Sequence, residues 1–512
     1  MPKTPSVKLF ELIHSLSGSE KRYFKIFAAK SQAGNVKYMQ LFDIIDTQVT
    51  YDEAAIKSFI YDTITFETRK FSELKNYLYE LILRSLQSYD EKTSVDFKLK
   101  NMLANVRVLA KRSFYKDAKS ILAKARKIAE QYEQFLVILE IIAWEKRIAY
   151  AESNISFLDK HLENLNTVEQ ESIQKLQNEL DYWNIYFNLL INSKKEATLR
   201  SEEKKQWLNR FFDSDFLIQN LVLPTFQSNI LYHRSYGYYY FSIGDYQQFY
   251  KQNNILIGLM ESNKKRLKED PSHYISVINN QIFACGMLRK YNEVDNNLEK
   301  LKAVKAQTVD DNFKIFTQYY LNKLVLCIES GNFEQGQTII TAREKEIIAF
   351  KKPIFKENFY LLYAYIYFGL KNFDESLIWL NELLDMPKTI VRKDLQSVAR
   401  IIYLIVHYEI GNYILLESLL RSTYRYLRKQ DRFHGFESSI LKFIRKSKDL
   451  TTKRQLKQAY LDLKTAFELL AKKPSEKAIF RYFNFMAWID SKINESEFDE
   501  EVRQQFLGEN EK

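Results

Sequence analysis

The sequence predicts an all-α protein: an α-solenoid of stacked antiparallel helix pairs with an N-terminal helical subdomain. Three observations lead there. First, 12 Gly and 7 Pro are few for 512 residues. Gly disfavours a helix interior through backbone entropy, and Pro through its missing N–H and ring clash, so their scarcity favours long helices. Second, no sustained run of alternating β-branched residues marks a strand. Third, one phrase keeps returning: GDYQQF from Gly244, GNFEQG from Gly331, KNFDES from Lys371 and GNYILL from Gly411. With KYNEVD from Arg289's neighbour Lys290, the landmark aromatics are Tyr246, Tyr291, Phe333, Phe373 and Tyr413, at intervals of 45, 42, 40 and 40 residues. A period in this range marks stacked helical hairpins.

The elements follow in order. Residues 1–92 read as a small helical domain or cap. Ser17 and Glu20 have capping-box spacing, each satisfying a backbone N–H of the other. FSELKNYLYELILRSL carries Phe71, Leu74, Leu78, Leu81, Ile82 and Ser85 at helical spacing, and EKTS at Glu91–Ser94 is the first boundary. Residues 95–200 form a helix-pair segment turning at Arg112–Tyr115, where Ala118 and Ala125 admit a close neighbour. Ser193–Lys205 is a charged connector. Residues 205–430 hold the repeat array. Residues 431–493 supply C-terminal capping helices, with Pro474 in a first turn. The tail 494–512 carries seven acidic against two basic residues and is expected to fray.

The register of the array has an internal check. Six residues before each landmark stand Tyr240, Cys285, Cys327, Tyr367 and His407. These positions are equivalent in a helical hairpin, so both cysteines of the chain share one column. They read as small apolar fillers. A repeat spacing of about 10 Å keeps them beyond disulfide reach. At four landmarks a preceding Gly or Asn suits the left-handed residue that ends a helix; Tyr291 lacks that signal.

YGYYYFSIGDY, with Gly237, Tyr240, Gly244 and Tyr246, resembles the small, aromatic and turn positions of tetratricopeptide (TPR) repeats. AYIYFGLKNFDESLIWLNELLDMP is similar through Ala364, Tyr367, Phe373, Ser376 and Pro387, and SFYKDAKSILAKA through Tyr115, Ala118 and Ala125. The chain departs from that pattern in its longer units, and in Leu324, Leu404 and Leu416 where small residues are expected. The resemblance implies a TPR-like right-handed superhelix of antiparallel pairs, and it implies binding of a protein or peptide partner.

Composition narrows the chemistry. The formal charge is +11, with 76 basic and 65 acidic residues, a modest balance that does not favour nucleic acid as the partner. The basic residues cluster, however: Asn101–Ala129 has eight against one acidic residue, and Arg421–Lys457 has twelve against three. No signal-peptide core opens the chain. The longest apolar run, Phe359–Leu370, is too short for a bilayer, which needs roughly 20 residues. No membrane association and a cytoplasmic location are therefore expected. No nucleotide-binding or hydrolase motif occurs, and the six His join no metal-ligand cluster. No catalytic, cofactor or metal residues are assigned, and no enzyme is expected.

The expected function is that of an interaction scaffold. Arg234, Tyr238, Asn279, Gln318, Asn358, Tyr365 and Tyr408 should face a peptide-binding groove lined by the first helix of each pair. Amides suit this role because each both donates and accepts. A second surface is the basic patch Arg421, Arg425, Arg428 and Arg432, spaced as one helix face with Tyr424 and Tyr426 interleaved. It is read as a solvated face or a partner for the acidic tail, with phosphate binding as the less favoured use. The alternative function is a peptide-responsive transcriptional regulator, with a helix-turn-helix-like DNA-binding region at Tyr51–Gln87 offering Lys75 and Arg84.

Overall fold

The computed structural model describes residues 7–31, 36–61, 68–90, 94–195, 206, 224–349, 356–387, 392–473, 476 and 478–510. Among the described residues are 24 α-helices and one 3-10 turn, and no strand. The chain forms two compact units, Met1–Leu180 and Asp181–Lys512. The division falls inside one long helix, Ile155–Lys195. Most of the expected connector Ser193–Lys205, and Pro474, lie outside the described residues.

The first unit begins with α1 (Lys8–Ser15), α2 (Gly18–Ser31), α3 (Val36–Thr47), α4 (Glu53–Ile60) and α5 (Thr68–Asp90). They enclose their own core of Leu9, Ile13, Phe24, Phe42, Ile45, Phe71, Leu78 and Ile82. The capping box at Ser17 is present: the Ser17 N–H donates to the Glu20 carboxylate at 2.6 Å, and the Glu20 N–H donates to Ser17 Oγ at 3.3 Å. Asp52 caps α4, accepting from the N–H groups of Ala54 and Ala55. Next come α6 (Val95–Ala110), α7 (Tyr115–Gln131), α8 (Phe135–Ala151) and α9 (Ile155–Lys195), whose residues from Asp181 onward belong to the second unit. Helix α7 packs on both α6 and α8. Ala118 and Ala125 are fully buried at these contacts, as small residues must be where helix axes approach to about 8–10 Å.

The second unit holds α10 (Phe226–Ile243), α11 (Tyr246–Ser262), α12 (Lys264–Glu269), α13 (Ser272–Met287), α14 (Tyr291–Ala303), α15 (Val309–Glu329) and α16 (Phe333–Ile348). It continues with α17 (Lys356–Gly369), α18 (Phe373–Asp385), α19 (Lys393–Glu409), α20 (Tyr413–Lys429), α21 (Gly435–Ser447) and α22 (Lys453–Ala471). After the 3-10 turn Ala478–Arg481 come α23 (Phe485–Asn494) and α24 (Phe498–Asn510). From α13 to α21 each helix packs on the next, and α13, α15, α17, α19 and α21 also touch in succession. Every landmark aromatic is the first residue of the second helix of a pair.

The hairpin ends share one construction. The residue two before each landmark is left-handed: Gly244, Arg289, Gly331, Lys371 and Gly411, with φ between 57° and 80°. The next N–H then bonds back to the carbonyl of Tyr240, Cys285, Cys327, Tyr367 or His407, at 2.8–3.0 Å. This is the long bond of the Schellman motif. The column inferred from sequence is thus the column of carbonyls that close the turns. Tyr291, whose glycine signal is missing, has the same ending through Arg289. Cys285, Cys327, Tyr367 and His407 are buried. The two thiols donate alike, Cys285 to Glu293 and Cys327 to Gln335, each at 3.7 Å. Burial, with Glu293 adding to it, pushes the Cys285 thiol up to about 12. Burial pushes the Cys327 thiol up to about 11, with Lys323 opposing. Both stay protonated at neutral pH.

Packing within and between the pairs mixes small and large contacts. Ser376 is fully buried on α18 and donates to the Ala364 carbonyl on α17 at 2.8 Å. Leu324, Leu404 and Leu416, where small residues were expected, are buried as well. A side-chain carbon at Gly369 would lie 2.5 Å from the Phe333 ring, so that ring sits flat on the helix backbone.

The tail corrects an expectation. Residues 498–510 form α24, and Phe498 and Val502 are buried. The acidic composition gives α24 Asp499, Glu500 and Glu501 in its first turn, which favours the positive end of the helix dipole. The reading as a frayed end counted charge and overlooked the apolar face of Phe498, Val502 and Phe506.

Candidate functional site

Three of the groove residues expected from sequence come together. Arg234 and Tyr238 from α10 and Asn279 from α13 line one cavity of about 440 Å³ in the second unit. Tyr186, Asn253, Ser276, Asn280 and Asn322 add polar groups, and Phe241, Phe249, Phe283 and Leu256 form an apolar wall. The three phenylalanine rings lie 5.5–6.4 Å apart. Arg234 is the sole charged side chain in this lining.

Arg234 is held in place by its neighbours. Its Nη2 donates to Tyr186 Oη at 2.8 Å, its Nη1 lies 2.9 Å from His273 Nδ1, and the guanidinium sits 4.7 Å from the Tyr186 ring centre. His273 therefore accepts through Nδ1. Burial depresses its pKa, the Arg234 charge depresses it further with Lys314 adding, and Asp270 opposes. The imidazole stays neutral and leaves Arg234 the local positive charge. Burial, reinforced by Tyr186, pushes the Tyr238 phenol up to about 12, so it remains a donor.

The amides form a ladder between pairs. Asn322 Nδ2 on α15 donates to Asn279 Oδ1 on α13 at 2.7 Å, and also to the Gln318 carbonyl at 2.7 Å. These bonds fix Asn279 with its NH2 group uncommitted among the described residues. Asn253 Nδ2 is held by the Phe249 carbonyl at 2.8 Å. Asn322 was missed by the sequence reading, which chose Gln318 one turn earlier. Gln318 is half-buried outside the cavity lining, and its Oε1 has no partner among the described residues. The signal available was the 43-residue separation of Asn279 and Asn322, close to the repeat interval.

The remaining groove residues do not share this cavity. Asn358 is half-buried in the first turn of α17. Tyr365 and Tyr408 are corrections: both are core residues. Tyr365 Oη accepts from the Asn484 N–H at 2.9 Å, and its ring lies 4.6 Å from Phe483. Tyr408 Oη accepts from Tyr460 Oη at 3.2 Å beneath Trp488. The cause is the C-terminal segment, which lies on α17 and α19. Tyr482 donates to Asp394, while Trp488 Nε1 and Lys492 donate to Glu409 at 2.7 and 2.5 Å. Phe498 packs on Phe483, Phe333 and Phe368. Farther along, Arg503 Nε donates to the Gly331 carbonyl at 3.1 Å and Phe506 meets Tyr291.

The basic patch is divided. Arg421, Arg425 and Arg428 are exposed on α20. Arg432 lies beyond the helix, past the left-handed Asp431, so the four do not share one helix face. Arg428 stacks on Phe433 at 4.7 Å, and Tyr426 turns inward beneath Arg400 at 4.3 Å. In the region considered for DNA contact, Lys75 is committed to Glu53 at 2.7 Å with a mostly buried side chain.

Among the described residues no three metal-ligating side chains gather, and no helix is long and apolar enough to cross a membrane. No protein-family model matches the chain, and no curated protein matches its sequence.

Proposed function

We propose that the chain is a non-enzymatic helical-repeat scaffold. In this reading its helix pairs stack as a TPR-like superhelix, and the first helices of three pairs bind an extended peptide segment of a partner protein. The observation that carries it is the cavity of α10, α13 and α15. One fixed cation, several amides and an aromatic wall meet there. Amides satisfy both the N–H and C=O of an extended backbone. The guanidinium offers a fork for a carboxylate. The Phe241–Phe249–Phe283 wall takes an apolar side chain, which gains with the area removed from water.

Affinity capture from the native cell, read by mass spectrometry, tests this with the wild-type chain beside Arg234→Ala/Asn279→Ala. A defined protein should be recovered by the wild type and lost from the variant. A hydrogen bond to a charged group contributes about 1.5–3 kcal/mol, so the pair should weaken binding roughly tenfold or more. Thermal melts of both chains establish that the variant is folded. Equal recovery by a folded variant would place the partner elsewhere and end this reading.

A further inference from the structure

The strongly basic stretch Asn101–Ala129 finds no use in the cavity of the second unit. In the first unit it helps build a separate trough of about 990 Å³ between α6 and α8. Helix α7 packs on both of those helices. The floor is apolar: Leu103 and Ile148 are buried there, and Ala104, Ala143 and Ala151 keep it shallow. Val108 stands 49 % exposed beside it, and Trp144 contributes its ring. The rim is cationic, with Lys100, Arg107, Lys111 and Arg147 against the single carboxylate Glu140.

The rim charges are held differently from their neighbours. On the neighbouring helix α7 Lys119 pairs with Glu152 and Arg126 with Glu145, and on α8 Lys146 pairs with Glu169. In the trough only Lys100 has a carboxylate, the exposed Asp96. Arg107, Lys111 and Arg147 have none among the described residues. Arg147 instead rests 5.3 Å from the Trp144 ring centre. Uncompensated like charges around an apolar floor repel one another and attract an opposite ring of charge.

The geometry points to this trough as the docking site of an acidic amphipathic helix from a partner protein. Small residues on the floor allow a third helix to approach to about 8–10 Å. Its apolar side chains cover Val108 and Trp144, and its flanking carboxylates meet Arg107, Lys111 and Arg147. The chain's own acidic segment does not serve, because it is committed within the second unit. Phe498 and Val502 are buried, Glu497 pairs with Lys371, and Glu501 accepts from Asn494 and Ser496. A nucleic acid fits less well, since such interfaces are far more polar than this floor.

The test uses the full-length chain and a fluorescein-labelled amphipathic peptide, with glutamates on one helix face and leucines and a phenylalanine on the other. Fluorescence anisotropy should show saturable binding that weakens as salt rises. A scrambled peptide of the same composition and a glutamine-for-glutamate version should bind at least tenfold less tightly. Arg107→Glu/Arg147→Glu should cost roughly tenfold or more. Ala104→Trp, which fills an exposed floor position, should block binding with the charges intact. Circular dichroism melts identify which variants are folded. Equal binding of the scrambled peptide overturns the proposal. So does unchanged binding by either folded variant, or tighter binding of a single-stranded oligonucleotide with the same sensitivity to charge reversal.

Discussion

Two stretches of the second unit use equivalent helices in different ways. Along α10, α13 and α15 the first helices border a cavity lined by Arg234, Tyr238, Asn279 and Asn322. Along α17 and α19 the corresponding helices lie beneath Tyr482, Phe483, Trp488 and Phe498. Side-chain chemistry follows the division. The covered stretch is FYLLYAYIYFGL and its neighbours, whose apolar bulk on every face requires a second layer. The bordering stretch carries amides and a guanidinium, which are satisfied by hydrogen-bonding groups. The chain covers its own helices where the demand is apolar, and leaves the polar positions bordering a cavity.

The largest effect should come from uncovering the apolar stretch. Phe498→Ala removes a buried ring stacked on Phe483 at 5.7 Å and touching Phe333 and Phe368. Denaturant unfolding of the full chain should show a loss of about 3–5 kcal/mol. A loss below about 1 kcal/mol would mean that the C-terminal helices are a loose cover, and the comparison would collapse. Glu409→Gln comes next. It leaves the Lys492 ammonium without its carboxylate and weakens the bond from Trp488. An expected cost of about 1–3 kcal/mol should appear as faster amide exchange in α23, with the cavity helices unchanged. Faster exchange in α10 as well would show that the two stretches open together.

The smallest effect is in pH. His273, beside Arg234, has its pKa depressed below the ordinary 6.5 by burial and by that neighbouring charge. The unfolded chain therefore binds the proton more readily. Stability from this site is full above about 6.5 and falls as pH drops through that value toward the folded-state pKa. Asp394, under the C-terminal segment, differs. Burial opposes its charge, but Arg392 and the Tyr482 hydroxyl outweigh this and hold it below the ordinary 3.8. Its contribution is kept until the pH falls through the carboxylate range. Acid titration followed by hydrogen exchange should loosen α10 and α13 before α19, and His273→Gln should remove the first step. Loosening of α19 at the higher pH would reverse the ordering.

Much of this architecture was legible from local signals. The recurring aromatic located five second helices, and the residue six places earlier located the carbonyl that closes each turn. Ala118, Ala125, Ala364 and Ser376 marked close helix contacts. What escaped was non-local. Tyr365 and Tyr408 have the spacing of groove residues, but their surroundings are set by residues 52–119 positions away. No periodicity within α17 or α19 encodes that. The acidic charge of the tail concealed its apolar face. Asn322 was missed because the helix phase was counted one turn short, whereas Asn279 fell in place.

The helix endings carry one more lesson. Among the described residues ten positions outside the strictly helical region have positive φ, and seven of them are not glycine: Ser113, Glu133, Ser153, Arg289, Lys371, Asp431 and Glu495. Each is followed by the same backward bond. The punctuation of this chain is therefore written in its main chain, and a residue other than glycine can stand at a full stop when the backward bond offsets the cost of its left-handed conformation. Gly331 is a special case, because a methyl group there would lie 2.7 Å from Arg503. A search for kindred chains that looks for glycine at each bend will undercount their hairpins, whereas one that measures the interval between bends will not.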